Sequence, residues 1–246
     1  MNATRIIALG LLGTAGLGFL PGPQQAGAQI TAQGGGHLLR LRFTRGATIN
    51  YSTTTTFQMP GAKGAPGSMT MPLSIRVTDV RNDVATLTVT TTAPQLPGAK
   101  GKAQQQTQTM RMDRRGRPVG QPVMGLEGLS HGYPQGPVRI GQTWTDTMTM
   151  PGPGGQMSLR STYRLVSVQG GFANINVALS GSAQGGGAKG KGAMTMRISG
   201  TGTMRVDVRD GWAQSSRMNM TMNMTMNGGT GQQAQTVTMT TTTTRR

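Results

Sequence analysis

The sequence predicts an all-β fold, and three observations carry the prediction. Apolar residues alternate with polar ones along most of the 246-residue chain, at the two-residue period of half-buried strands, while a helical period is nearly absent. Threonine and valine, which suit strands, and 39 glycines, which suit turns, are abundant where aromatic residues are scarce. One stretch also occurs twice: residues 69–89, MTMPLSIRVTDVRNDVATLTV, are answered 88 positions later by residues 157–177, MSLRSTYRLVSVQGGFANINV, without a gap. Their apolar residues coincide: Ile75 with Tyr163, Val77 with Leu165, Val80 with Val168, Ala85 with Ala173, Leu87 with Ile175. A sheet of roughly ten strands does not easily stay flat and open. The expectation is a strongly curved antiparallel sheet or barrel-like meander built from two pseudo-repeats.

Residues 1–28 have the layout of a signal peptide. Arg5 gives a basic start, residues 6–20 an apolar run, and Ala26-Gly27-Ala28 a small-residue cleavage site. The run is short for a membrane span of about 20 residues, and Pro21 and Pro23 follow it. An exported protein, periplasmic or extracellular, is implied, with no later stretch apolar enough to span a membrane as a helix. The chain has no cysteine, so the exported domain must be stabilised by its core rather than by disulfides.

Residues 29–37 read as a flexible leader and residues 38–246 as a single β domain, opening with a short strand at 38–44. Pseudo-repeat one covers residues 46–119 and pseudo-repeat two residues 141–213, each a strand, a loop, a hairpin, a loop and a strand. The first strand places Ile49, Tyr51, Phe57 and Met59 inward; its echo places Trp144, Met148 and Met150 inward, and both close on Met-Pro-Gly. Between the repeats, Met124, Leu126 and Leu129 suggest a helical turn or an apolar plug. Two further strands are expected over residues 212–244.

The repeated hairpin admits a register. A plain two-residue turn at Asn82-Asp83 would set Val77 opposite Thr88 and spoil the apolar face. A three-residue loop instead sets Val77 opposite Leu87 and Ile75 opposite Val89, and in the second copy Leu165 opposite Ile175 and Tyr163 opposite Val177. Three-residue loops with a bulge are therefore expected, Asp83 or Gly171 taking the left-handed position.

The run from Tyr133 to Trp144, YPQGPVRIGQTW, resembles the Pro, then Val-x-x-Gly-[Asp/Gln]-[Ser/Thr]-Trp segment of a family of uncharacterised exported bacterial proteins. The Tyr-x-Leu-x-x-Val strand from Tyr163, its return strand from Ala173, and the closing element over residues 202–211 fit the same resemblance, with Gln142 where that family often has Asp. The resemblance implies a domain of unknown function and carries over no site.

The net charge is +17, and losing Arg5 with the signal peptide lowers it by one. Such a protein can meet anionic lipid, lipopolysaccharide phosphate or acidic polysaccharide. Arg76, Arg111, Arg160, Arg164, Arg197, Arg205 and Arg217 fall on outer strand faces, and Lys63, Lys100, Lys102, Lys189 and Lys191 in loops. No stacking aromatics are interleaved with them, which argues against nucleic acid.

Met218, Met220, Met222, Met224 and Met226 alternate with Asn and Thr, so all five thioethers project from one face. Thioethers select Cu(I) or Ag(I). Methionine alternates elsewhere in this chain too, and the plainer reading is that it fills the inner face. A face so lined also suits an acyl chain or other lipid-like ligand.

Chemistry is otherwise thin. Asp79, Asp83, Asp113, Asp207 and Asp210 sit in or beside expected turns, Asp146 and Glu127 are isolated, and adjacent Ser130-His131 do not make a nucleophile–base pair. No zinc spacing and no strand–Gly loop–helix context is present. The threonine runs at 53–56 and 240–244 read as solvent faces. The sequence therefore points to a non-catalytic exported protein without a cofactor, which binds a lipid-like ligand or anionic envelope component or serves a structural role, with soft-metal binding as the alternative.

Overall fold

Alternation becomes strand at nearly every expected place. The computed structural model describes residues 30–58, 66–92, 104–120, 132–152, 155–185, 194–228 and 231–246. The signal-peptide reading of residues 1–28 and the plug reading of Met124, Leu126 and Leu129 lie outside them. A small hairpin comes first, β1 (Ile30–Gln33) and β2 (Gly36–Leu39). Then come β3 (Thr48–Gln58), β4 (Gly67–Arg81), β5 (Val84–Thr92), β6 (Gln105–Asp113), β7 (Thr143–Gly152), β8 (Gly155–Gln169), β9 (Phe172–Gly185), β10 (Met194–Asp207), β11 (Ala213–Gly228) and β12 (Gly231–Arg245). Among the described residues there is no helix, and so none long and apolar enough to cross a membrane.

These ten strands form one antiparallel sheet in the order β6-β5-β4-β3-β12-β11-β10-β9-β8-β7. The sheet is open, which corrects the expected barrel-like, strongly curved form: β6 and β7 are its two edges and do not pair. The physical reason lies in the chain between them. In its described part, residues 114–120 and 132–142, this connection forms no strand that bridges the two edges, and Tyr133 and Val138 are buried in the main core. The β1–β2 hairpin joins it, with Ile30 and Leu39 buried, His37 exchanging backbone bonds with Val138, and Ile30 N–H bonded to Val208 O. Residues 30–37, which read as a flexible leader, are thus a folded element covering the core.

Both repeated hairpins have the expected pairs: Val77 opposite Leu87, Ile75 opposite Val89, Leu165 opposite Ile175 and Tyr163 opposite Val177. The loops are shorter than expected. Arg81 pairs with Val84 and Gln169 with Phe172, leaving the two-residue turns Asn82-Asp83 and Gly170-Gly171, all four residues at positive φ. That is the geometry whose twist matches a hairpin's strands. The extra residue lies deeper, as a bulge at Thr78 between Val77 and Asp79, and at Val166 between Leu165 and Ser167. A three-residue loop would have turned Asp79 toward the core beside fully buried Ala85. The bulge keeps Asp79 outward and lets Val80 pair with Ala85.

Further correspondences accompany the two bulges. Gly46 N–H donates to Val77 O at 2.8 Å and Val77 N–H to Ala47 O at 2.9 Å. Gly141 N–H donates to Leu165 O at 2.7 Å and Leu165 N–H to Gln142 O at 3.1 Å. At the strand ends, Asp113 Oδ1 accepts from Arg115 N–H, and Asp207 Oδ1 from Arg209 N–H.

The main core occupies one end of the inner face. Ile49, Tyr51, Ile75, Val77 and Leu87 from one half, and Trp144, Tyr163, Leu165, Ile175 and Val206 from the other, join one cluster with Leu39, Leu41, Tyr133 and Trp212 of the covering segments. Between the halves, Thr53 and Thr243 share a hydroxyl bond of 3.1 Å, and Thr55 and Thr241 one of 3.2 Å. The threonine runs are therefore not simple solvent faces, since Thr243 is buried.

All three tyrosines are buried. Burial pushes the phenols of Tyr51, Tyr133 and Tyr163 above their ordinary value. A raised folded pKa makes their contribution full below about pH 10 and lost as pH rises through the folded values. In a spectrophotometric titration, phenolate absorbance should stay absent through pH 10 and rise only with a cooperative loss of the β circular dichroism signal. A tyrosine ionising near pH 10 with the fold intact would contradict this packing.

Candidate functional site

Away from the covered end, the inner face of β7–β12 continues outward as rows of apolar side chains. Directly opposed residues of antiparallel neighbours share a face, with strands about 4.8 Å apart. One row runs Met148, Leu159, Gly181, Ile198, Met222, Val237 across the six strands. The next runs Met157, Ala183, Met196, Met224. Met157, Ala183 and Met196 are buried, and Met148, Leu159, Ile198, Met222 and Met224 pack against them half-exposed. This second cluster is separate from the main core.

The small residues in these rows shape the surface. Met218 lies over Gly202 and Met220 over Gly200, so closely that a Cβ on either glycine would collide with the thioether side chain. The methionines of β11 can therefore lie flat along the sheet rather than stand off it. At the far end Met226 is 48% exposed, beside a depression of about 390 Å³ lined by Met224, Met226 and residues 233–235.

The five methionines of β11 do share one face, as alternation requires. They do not converge. Five alternate positions span about 27 Å of strand, so one ion cannot gather them. What the fold does bring together is a set across strands, Met157, Met196 and Met224 over the small floor of Ala183, with Met148 and Met222 beside it. Sequence reasoning found the stripe and missed this row, because only register reveals which strands lie side by side.

The polar candidates are engaged elsewhere. Asp79, Asp83, Asp146, Asp207 and Asp210 pair with Arg81, Arg114, Arg117, Arg209 and Arg245. Asp113 accepts the backbone N–H groups of Arg115 and Arg117. His37 sits in β2 against Val138, while Glu127, Ser130, His131 and the five loop lysines lie outside the described residues. No group of three or more His, Cys, Asp or Glu that could hold a metal occurs among the described residues.

Residues 124–213 match the model of a family of unknown function, DUF6263. The matched stretch spans β7 to β10 and the turn that ends at Trp212, and it contains the run at residues 133–144. It thus includes four of the six strands of the methionine face, with Met148, Met157, Met196 and Ile198, and ends at the first residue of β11. No curated protein matches the chain. The DUF6263 match supplies a likeness in sequence and no activity.

Proposed function

We propose that this protein is a non-catalytic, exported envelope protein, arisen from two fused pseudo-repeats, that holds a lipid-like ligand against the methionine face of β7–β12. The observation that carries the reading is the uncovered second cluster. Its apolar rows form a cluster separate from the main core, with Met222 and Met224 partly exposed and Met226 exposed. Contiguous apolar surface of this kind marks interaction sites, and unbranched thioether side chains adapt to ligands of irregular shape. An acyl chain laid across the strands would exploit the glycine and alanine floor. The layout of residues 1–28 supports export, and the shared bulges at Thr78 and Val166 support duplication.

A second reading rests on the cross-strand thioether row. Met157, Met196 and Met224 gather soft ligands in one place, which suits Cu(I) or Ag(I). Native mass spectrometry of the chain from Gln29, as purified, with palmitate, and with Cu(I), separates the two. The lipid reading expects an adduct of fatty-acid mass that survives Met196, Met222 and Met224 all becoming Leu, since leucine keeps the apolar surface. The metal reading expects a stoichiometric copper adduct abolished by the same change. A bare mass under every condition overturns both.

A further inference from the structure

The outer face of the same strands has the opposite chemistry. Arg160 and Arg164 of β8, Arg197 and Arg205 of β10 and Arg217 of β11 all project from it, and all five are exposed. The ladders fix their arrangement. Arg164, Asn176, Thr203 and Arg217 form one cross-strand row, so its two guanidinium groups stand about 14 Å apart. Arg205 and Asn174 occupy the adjacent row on one side; on the other, a row without arginine separates them from Arg160, Ser180 and Ser199.

No described carboxylate neutralises this array. None of the five arginines forms an ion pair with a described residue, and every described aspartate is committed to another arginine or to a turn backbone. No Asp or Glu occurs in β8, β9, β11 or β12, nor in β10 before Asp207. A depression of about 440 Å³ is lined on this face by Arg205, Arg217, Asn174, Asn176, Thr203 and Thr242. Arg205 is partly anchored there, its guanidinium carbon 3.7 Å above the Phe172 ring. Stacking fixes the guanidinium plane and leaves its edge N–H groups free to donate.

We infer that the outer face of β8–β11 is a docking surface for an anionic polysaccharide, with the depression between Arg205 and Arg217 as its centre. Charge complementarity selects a polyanion: Arg164 stands about 14 Å from Arg217, beyond a Debye length of about 8 Å, while Arg205 lies diagonally beside Arg217, so the array meets successive charges along one chain. The groups between them are serine, threonine and asparagine, short donors and acceptors that match sugar hydroxyls. The single aromatic ring, Phe172, is already under Arg205, so bases have no platform on which to stack. Val166 is the large apolar side chain exposed on this face, too little to enter a bilayer. The inference is independent of what occupies the methionine face.

The test uses the chain from Gln29 and a linear polyuronate, alginate, with binding measured against ionic strength. Arg164, Arg205 and Arg217 are changed together to Gln. A control removes equal charge elsewhere, at Arg45, Arg81 and Arg139, and thermal melts confirm that both variants fold, as exposed substitutions should. The expected result is an affinity loss of about ten-fold at 0.15 M salt, and a flatter salt dependence, in the face variant alone. Equal loss in the control, or no alginate binding by the native chain, overturns the inference. So does tighter, equally arginine-dependent binding to single-stranded DNA or to vesicles of phosphatidylglycerol, which would assign the face to a different partner.

Discussion

Replacing Trp212 by alanine should destabilise the fold by about 3–5 kcal/mol, the range for emptying a buried tryptophan site. Trp212 is 1% exposed and stands where the covering segments meet the sheet. Its ring lies edge-on to Phe43 at 6.1 Å, and its Nε1–H donates to Arg42 O at 3.3 Å. Its backbone is equally committed: the N–H donates to Asp210 Oδ1 and the carbonyl accepts from Asp207 N–H, both at 3.0 Å. The preceding carbonyl, of Gly211, accepts the Tyr133 hydroxyl at 2.7 Å. One residue thus ties together the turn after β10, the segment after β2 and the connection between β6 and β7. Urea unfolding of Trp212→Ala should show the full loss with an unchanged slope, whereas Ile140→Ala, at a side chain 58% exposed, should stay within about 0.5 kcal/mol of the parent. Equal effects at the two positions would mean that the covering segments contribute nothing to the core.

That covering layer is the part of the fold least legible in the sequence. Strands announce themselves by period, and β3 to β12 fall close to where alternation places them. Irregular segments have no period, so the burial of Tyr133, Val138 and Trp212 leaves no pattern to read. A signal was present in composition: the chain has two tryptophans and three tyrosines, and all five are buried. In a sequence so poor in aromatics, each tryptophan and tyrosine marks core wherever it falls. The hairpin of β1 and β2 escaped for a similar reason, since four-residue strands around Gly34-Gly35 are too short for alternation to show.

The hairpin loops teach a narrower lesson. Val77 and Val80 are both apolar and three residues apart, an odd spacing that a regular strand cannot place on one face. That spacing alone specifies an extra residue between them, and Leu165 and Val168 repeat it. The pairing partners follow from the apolar pattern, but the position of the extra residue follows from this local break and not from loop length. Closure was illegible for a different reason. Whether edge strands meet depends on what packs on the inner face, and here Tyr133 and Val138 of the β6–β7 connection pack there. Of the candidate site, the apolar character of β11 was legible and the grouping of Met157, Met196 and Met224 was not.

Asp207 should prove the most costly carboxylate to remove. It ends β10 with 1% exposure, while its partner Arg209 is a surface side chain. Its carboxylate accepts Arg209 N–H at 2.9 Å, Arg209 Nε–H at 3.0 Å and Arg209 Nη2–H at 2.5 Å. The hydrogen bonds from the Arg209 side chain hold the Asp207 carboxyl below the usual carboxylate range, against the opposing effect of burial. A depressed folded pKa contributes stability that is present above the unfolded value, about 3.9, and is lost as pH falls through the folded one. Asp207→Asn should therefore cost about 1–3 kcal/mol at pH 7, the scale of losing charge-assisted bonds at a buried group. The gap between variant and parent should narrow as urea melts are repeated toward pH 3. A gap constant across that window would reduce Asp207 to a shape-filling turn residue. Arg209→Gln separates the two contributions: it keeps the backbone N–H that shapes the turn and removes the guanidinium, so it should weaken the acid dependence while leaving the Gly211–Trp212 junction folded.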